Sequence, residues 1–241
     1  MSMELQQPAS IPDRSDHAVP WTIFDTWLGV GMLALIDAIL FIITLQSSRR
    51  AELAQSAAII LLELAYLLPV IVIFAWKRIH WKYLGFRKFE PKVLSLGCGL
   101  LLGAYAIILL HNIILLGLGV DTQGEAILRL IEMLDSPGWF FLVGVVFAPL
   151  VEEIFFRGFL FQGFRQKYGW IQGTLLSSAI FAVAHLDPAS LIPTFILGVV
   201  IAYLFHRSNS IWPGIILHFL VNAFGLWGAY FATHYQDSIP L

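Results

Sequence analysis

The stretch VEEIFFRG, residues 151–158, places two glutamates and an arginine directly after the apolar run WFFLVGVVFAPL. Apolar residues continue between these charges, so the stretch is predicted to be part of one apolar helix. An ionisable side chain inside a membrane costs several kcal/mol and is tolerated when it faces the interior of a helix bundle. The stretch therefore predicts a membrane helix with one polar, inward-facing side.

The composition of the whole chain indicates an integral membrane protein. Hydrophobic residues make up 59% of the 241 residues and charged residues 12%, whereas a soluble domain carries about 25% charged residues. A net charge of −2 offers no basic surface for nucleic acid, so nucleic-acid binding is excluded. The lipid bilayer is the expected environment, and the predicted fold class is an all-α, polytopic transmembrane helical bundle.

A bilayer core of about 30 Å needs about 20 apolar residues per helix. Seven runs of the sequence meet or approach this requirement, and an eighth, re-entrant element is left open. Between the third and fourth runs, EAILRLIEML (125–134) places Ile127, Ile131 and Leu134 on one face, which predicts an interfacial amphipathic helix. The predicted spans are 22–45, 54–76, 93–118, 138–164, 170–186, 189–206 and 211–234.

The distribution of lysine and arginine predicts the orientation of the chain. Ten of these residues lie in the N-terminal tail and in the loops after the second, fourth and sixth spans, against three on the other side. Because cytoplasmic loops carry the excess of Lys and Arg, we expect a multi-pass protein of the cytoplasmic membrane with its N-terminus inside. Residues 1–20 lack the pattern of a cleaved signal and are expected to be a disordered tail.

Two features of the third span concern packing rather than chemistry. Gly99 and Gly103 form a GxxxG pattern, which predicts a close contact with another helix. Cys98, the single cysteine, is expected to be a small buried apolar residue.

Ionisable residues inside the spans are candidates for function, but three of them stand alone. Asp37 and Glu63 lie by themselves in the first two spans, so they are expected to be protonated or hydrogen-bonded to a neighbouring helix. His111 lies near a span end and is expected to be interfacial. We assign no chemistry to these three.

The other candidates have informative spacing. Glu153 and Arg157 are four residues apart, on one helical face and in the order that favours an ion pair. Glu152 is rotated by about 100° from Glu153, so it can point elsewhere. Pro149 removes a helical N–H just before the glutamates, which loosens the helix there or kinks it.

Two later spans add imidazole and amide groups. FAVAH (181–185) ends in His185, and HFLVN (218–222) places His218 and Asn222 on one helical face. Counting from the helix ends at about 1.5 Å per residue puts Glu152, His185, His218 and Asn222 at compatible depths. The four groups are therefore predicted to share one cavity that can hold a water and an oxyanion.

These three motifs, EExxxR, FxxxH and HxxxN in this order, resemble those of the CAAX protease and bacteriocin-processing family of intramembrane proteases, related to the type II CAAX prenyl endopeptidases. The resemblance implies a bundle of about seven to eight membrane helices around a polar cavity. It implies that Glu152 and His185 activate a water, that His218 and Asn222 stabilise the oxyanion, and that Arg157 holds Glu153.

The resemblance extends over residues 138–227, which we interpret as the catalytic core. It is preceded by a tail (1–20) and by N-terminal membrane helices with the interfacial helix (21–137). Residues 228–241 complete the last helix and the C-terminal tail. The first three spans match the family only in being hydrophobic.

The sequence leaves open whether catalysis requires a zinc ion. Glu152, His185 and His218 could ligate zinc, since catalytic zinc sites use three protein ligands and a water. A glutamate in a cavity that excludes water can also act as a general base without metal, and Asn222 is a better oxyanion donor than zinc ligand. Because neither histidine has a second metal ligand one helical turn away, we favour metal-independent catalysis.

The predicted activity is hydrolysis of peptide bonds in a membrane-protein or lipidated-peptide substrate, with prenylated CAAX proteins as one candidate class. Two alternatives belong to other classes of protein. One is a non-catalytic immunity or scaffold protein of the membrane, and the other is a transporter that uses the same groups to relay protons or ions. The sequence leaves the substrate and the oligomeric state open.

Overall fold

The computed structural model describes residues 18–46, 61, 63–132 and 137–235, and all regular secondary structure in these ranges is helical. This confirms the all-α fold class. The predicted tail at 1–20 falls outside the described residues except for 18–20. The helices are α1 (Ile23–Gln46), α2 (Leu67–Lys77), α3 (Lys92–Gly117), α4 (Gln123–Glu132), α5 (Pro137–Leu142 through Gln162–Tyr168), α6 (Trp170–Ala184), α7 (Leu191–Ser208) and α8 (Trp212–Tyr235).

In the described part of the chain, five helices are long and apolar enough to cross a membrane: Ile23–Ile43, Lys92–Gly117, Gly138–Tyr168, Pro188–Ser208 and Trp212–Phe231. The protein is thus a multi-pass helical membrane bundle.

One predicted span differs from the observed helices, and a second lies partly outside the described residues. The span predicted at 170–186 is the apolar helix α6, whose 15 residues reach about 22 Å at the helical rise, less than the about 30 Å of a bilayer core. The span predicted at 54–76 lies partly outside the described residues, and its described end is α2. The sequence count of seven therefore treated α6, a short helix inside the bundle, as a full span.

α5 changes its hydrogen-bond register twice along its length. Regular α-helical segments alternate with two π-helical segments, Val143–Phe147 and Ile154–Phe161. All eight residues of the second π segment are buried, including the charged Arg157. Gly158 lets this segment approach the turn Trp81–Leu84, since a Cβ on Gly158 would stand 3.0 Å from the Leu84 carbonyl oxygen. α5 is therefore the central helix of the bundle.

Burial separates the central helices from those that face lipid. In the most apolar windows of α5 and α7, 56% of residues are buried, against 17% in α1 and α3. α7 packs on α6, α3 and α8, and α8 packs on α4 and α5. α5, which carries EExxxR, is thus an inner helix, whereas α8, which carries HxxxN, is 22% buried in its window, close to the value of α1 and α3.

The N-terminal end of α1 is docked firmly on the bundle. Thr22 and Asp25 form a capping box, in which the Asp25 carboxylate accepts from the Thr22 N–H at 2.7 Å and the Thr22 hydroxyl accepts from the Asp25 N–H at 3.3 Å. The same carboxylate pairs with Lys77 on α2 at 2.5 Å. Trp21 is fully buried, with its ring near those of Phe74 and Phe159.

For α3, the prediction that Cys98 is buried is wrong, and the close contact predicted at Gly99 and Gly103 is not seen among the described residues. A Cβ added to Gly99 or Gly103 would meet nothing within 4 Å among the described residues, and Cys98 is exposed. α3 approaches α7 through Gly97 instead, where an added Cβ would stand 2.8 Å from Leu204. An apolar helix with no hydrophobic asymmetry does not reveal which of its glycines faces protein, because lipid and core are equally apolar.

The predicted interfacial helix is present as α4. Its Ile127 packs against a cluster of Phe140, Leu226 and Ala229, which joins α4 to α5 and α8. Leu134, the last residue of the predicted apolar face, lies outside the described residues. α4 thus covers one side of the space between α5 and α8.

Gly173 provides a test of the tight packing between α6 and the end of α5. A Cβ on Gly173 would stand 2.9 Å from the backbone nitrogen and 3.0 Å from the Cα of Arg165, and backbone atoms cannot rotate away. Gly173→Ala should therefore destabilise the protein by about 1–3 kcal/mol. The matched control Gly99→Ala, in open space, should be neutral or stabilising by about 0.5–1 kcal/mol. Thermal unfolding in detergent measures both, and equal melting temperatures for the two variants would contradict this packing.

Candidate active site

A cavity of about 370 Å³ lies where α3, α4, α5, α6, α7 and α8 meet. Its wall is mostly apolar, with Leu101, Ile108 and Phe140 among the contributors. Its polar lining consists of Glu63, Tyr105, Gln123, Glu152, His185, Thr194, His218 and Asn222. The structure thus brings Glu152, His185, His218 and Asn222 to one cavity, and their catalytic roles stay predictions.

Glu153 and Arg157 do not line this cavity but form a buried pair behind it. The Arg157 Nη1 donates to Glu153 Oε1 at 2.8 Å, and both side chains are at most 1% exposed. Nη2 donates to the carbonyl oxygen of Gly198 on α7 at 3.3 Å, and the guanidinium carbon lies 4.3 Å from the ring centre of Phe181. The arginine is therefore held by a carboxylate, a carbonyl and an aromatic face.

His218 connects this pair to the cavity. Its Nδ1 lies 3.1 Å from Glu153 Oε1, the same oxygen that holds Arg157, and its Nε2 lies 3.7 Å from Glu152 Oε2. A carboxylate can only accept, so His218 Nδ1 carries the hydrogen of this contact. The Nε2 of a neutral His218 is then an acceptor, and it becomes a donor only when the ring is doubly protonated.

Glu152 is the carboxylate that remains available to a substrate. It is 5% exposed, and its Oε2 has no hydrogen-bond donor among the described residues. Its distance to His218 Nε2 is longer than a hydrogen bond. Glu153 Oε2 is likewise without a donor, but among these two oxygens only that of Glu152 belongs to a residue that lines the cavity, where it can accept a hydrogen from a water or another group.

His185 follows the last residue of α6, and its ring is oriented by the helix itself. Nδ1 lies 2.8 Å from the carbonyl oxygen of Phe181, so Nδ1 is the protonated nitrogen and Nε2 is an acceptor. The Phe181 ring meets His185 at 4.8 Å and His218 at 5.7 Å between centroids, edge-on in both cases. Phe181, the first residue of FxxxH, therefore lies between the two imidazoles and covers the guanidinium of Arg157.

Asn222 is tied to the first π segment of α5. Its Nδ2 donates to the carbonyl oxygen of Gly144 at 2.8 Å. In the π register, the Ala148 N–H bonds to the Val143 carbonyl, so the donor due to Gly144 would be residue 149. That residue is Pro149, which has no N–H, and the Asn222 amide takes its place.

This contact refines the sequence prediction for Pro149. The helix is wound into a π segment rather than only loosened or kinked, and the carbonyl left without a helical donor in that register is that of Gly144. This bond uses one of the two hydrogens of the Asn222 amide. Pro149 therefore helps to fix the position of Asn222.

The fit of a metal ion can be judged from the donors. Both histidines hold Nδ1 on an oxygen and leave Nε2 as an acceptor, which is the usual pattern of metal-ligating histidine. Within the described residues, however, no group of three or more His, Cys, Asp or Glu side chains is arranged to hold a metal ion. The donor types of Glu152, His185 and His218 suit zinc, and their spacing does not.

Sequence reasoning missed four polar members of the cavity, Glu63, Tyr105, Gln123 and Thr194, of which Glu63 is the ionisable acid. Glu63, expected to be structural, lines it together with Glu152. Asp37 on α1 and His111 on α3 do not line it; the His111 ring contacts Asn112 at 3.3 Å. A hydrophobic span gives no spacing signal for a single inward-facing acid, so only the packing of helices could place Glu63.

Comparison with known proteins finds a family model and relatives that match part of the chain. Residues 135–224 match the family model described as type II CAAX prenyl endopeptidase Rce1-like, which confirms the family resemblance. The chain is similar to "Putative membrane peptidase YdiL" of Bacillus subtilis (strain 168), with 27% identity over 44% of this chain and 43% of the relative.

Two further relatives are similar over other lengths. One is "Uncharacterized 24.3 kDa protein" of Escherichia coli, 28% identical over 55% of this chain and 64% of the relative. The other is "UPF0177 protein YxdF" of Lactococcus lactis subsp. lactis (strain IL1403), 31% identical over 35% and 46%. The chain thus spans less than two thirds of the length of these relatives, and no solved structure matches it.

Glu153→Ala should act as a folding lesion. It leaves Arg157 charged and without a carboxylate in the interior, and removing one partner of a buried pair costs about 3–5 kcal/mol. The double variant Glu153→Ala/Arg157→Ala should recover part of this loss, as measured by thermal unfolding and by yield in detergent.

The matched control is Glu90→Ala. Glu90 pairs with Lys92 on the surface, where both side chains are more than two-thirds exposed, so its loss should leave the melting temperature unchanged. A Glu153→Ala protein as stable as the Glu90→Ala protein would show that the buried pair is not needed for folding.

Proposed function

We propose that this chain, with its Rce1-like core, is an intramembrane endopeptidase that hydrolyses peptide bonds of membrane-associated substrates. The observation that carries the proposal is the convergence of Glu152, His185, His218 and Asn222 on one cavity within an apolar helix bundle. Four polar groups from α5, α6 and α8 in a mostly apolar cavity can bind a water and a peptide carbonyl together. A scaffold or immunity protein has no need of that arrangement.

The first step of the proposed reaction belongs to Glu152 and His185. Glu152 Oε2 and His185 Nε2 are both acceptors, so each can take one hydrogen of a bound water. Glu152 removes a proton as the water oxygen attacks the carbonyl carbon, and a positioned general base contributes roughly 10²–10⁴-fold. When the C–N bond breaks, Glu152 returns this proton to the leaving amine.

The oxyanion is to be stabilised by Asn222 and His218. The hydrogen of Asn222 Nδ2 that does not bond Gly144 is the proposed oxyanion donor. One such donor lowers the activation free energy by about 2.7–4 kcal/mol. His218 donates through Nε2 only as an imidazolium, a form that the negative Glu153 on Nδ1 stabilises. Its contribution therefore depends on the buried pair behind it.

The substrate class and the setting are further parts of the proposal. A membrane protein or a lipidated peptide, such as a prenylated CAAX tail, can reach a cavity between apolar helices by way of the bilayer. The ten-to-three excess of Lys and Arg supports the cytoplasmic membrane and a cytoplasmic N-terminus. Nothing in the composition favours a nucleic-acid partner.

Glu152→Gln and His185→Ala should each abolish cleavage while the protein stays folded, because both hold the attacking water. Purified protein is tested on an S-farnesylated CAAX peptide and on its unmodified form, and membrane peptides of cells with wild-type or Glu152→Gln protein are compared. Glu90→Gln serves as the control and should cleave like wild type.

Two results would count against this assignment. Near-wild-type turnover by either cavity variant would exclude the Glu152–His185 pair as the water-activating group. If wild type cleaves neither peptide and the two membrane proteomes are identical, the endopeptidase proposal falls and a non-catalytic role takes its place.

Metal dependence is tested separately. Because the spacing of Glu152, His185 and His218 does not suit zinc, we expect active protein washed with chelator to contain far less than one zinc per chain and to keep its activity. Elemental analysis and activity on the same sample decide the question. One zinc per chain, with activity lost on stripping and restored on addition, would overturn the metal-independent mechanism.

A further inference from the structure

Glu63 is an acid of the reaction cavity that belongs to none of the three sequence motifs. It lies in a helical stretch just before α2 and lines the same cavity as the motif residues. Its Oε2 is enclosed and has no hydrogen-bond donor among the described residues. The helical stretch before α2 thus contributes one carboxyl group to a site otherwise built from α3 to α8.

The charges of the cavity are unbalanced. Its lining contains two carboxyl groups, Glu63 and Glu152, and neither lysine nor arginine among the described residues. The nearest guanidinium, that of Arg157, is occupied by Glu153 and the Gly198 carbonyl. Glu63 is close enough to Glu152 to interact with it electrostatically. The cavity therefore offers two acids to whatever enters.

A carboxyl group removed from water stays ionised only where a cation or a hydrogen-bond donor offsets its lost solvation, and otherwise takes up a proton. Glu152 has a reaction partner in the attacking water, and His218 stands near it. The Oε2 of Glu63 has no hydrogen-bond donor within the described residues, and the cavity wall is mostly apolar, with Tyr105 and Gln123 among its few polar members. A cationic group carried by the substrate would supply the positive charge that the described lining of the cavity lacks.

We propose that Glu63 is a specificity-determining residue, which selects substrates with a lysine or arginine side chain close to the scissile peptide bond. This inference rests on the proposed endopeptidase function and adds a substrate class to it. The long stem of lysine or arginine packs along apolar walls while its charged head reaches Glu63. The acid then acts on peptide choice, and Glu152 acts on the bond.

The test is a lysine scan of one apolar, lipid-soluble, quenched-fluorescence peptide, in which lysine replaces norleucine at each position in turn. For wild type, one position should show a lysine-to-norleucine ratio of kcat/KM of at least about 10, because truncating one side of a buried charge pair costs this much or more. Glu63→Gln should bring this ratio close to one.

Charge reversal makes the test specific. Glu63→Lys should prefer glutamate over lysine at the same position, and Glu63→Asp, which keeps the charge, should keep the lysine preference. The matched control is Asp37→Asn, which removes a half-buried acid on α1 that does not line the cavity and should keep the wild-type ratio. If Glu63→Gln fails to fold, the Glu63→Asp and Glu63→Lys proteins still decide the outcome.

The possible failures are distinguishable. If wild type cleaves no peptide of the scan and shows no activity in the cellular comparison, the endopeptidase function itself is wrong. If wild type cleaves but prefers lysine at no position, or if Glu63→Gln slows lysine and norleucine peptides by the same factor, only the role of Glu63 is wrong. The second result would assign Glu63 to folding or to proton transfer.

Discussion

The bond between Glu153 and Arg157 is the interaction on which the other parts of this bundle depend. Both groups are almost completely removed from solvent, in a helix whose neighbours are phenylalanines, so neither charge is tolerable alone. Their neighbours are shaped to fit them. An added Cβ on Gly214 would stand 3.1 Å from Glu153 Oε2, and the Gly198 carbonyl receives the second arginine nitrogen. α5, α7 and α8 are thereby fixed relative to one another.

One oxygen atom links this ion pair to the cavity. Glu153 Oε1 serves both Arg157 and His218, so the tautomer of the imidazole follows from the ion pair. Glu152, the adjacent residue in the sequence, is left to the other side of the helix with an acceptor that nothing in the described part of the chain satisfies. Two neighbouring glutamates therefore have separate surroundings, one in a buried ion pair and one in the lining of the cavity.

The sequence predicted what depends on spacing within a helix. The i, i+4 relation of Glu153 and Arg157 and the rotation of Glu152 away from them follow from helical geometry, and so does the shared face of His218 and Asn222. The convergence of three helices on one cavity was also predicted, from residue depths and the family resemblance, but the individual contacts between helices were not. The Asn222–Gly144 bond requires a change of helical register, and Glu63 reaches the cavity only through the placement of its helix. In α3, apolar on all sides, no pattern distinguished Gly97 from Gly99.

The first π segment of α5 has a consequence for the length of the chain. A π turn holds one residue more than an α turn closed by the same kind of bond, so Val143–Phe147 shifts the phase of the helix wheel before the glutamates. Deleting one residue between Gly144 and Glu152 while the π winding stayed would rotate Pro137–Leu142 by about 100° relative to Glu152. Gly144 would turn away from Asn222. In a loop such a deletion is harmless, but here the number of residues is itself part of the site.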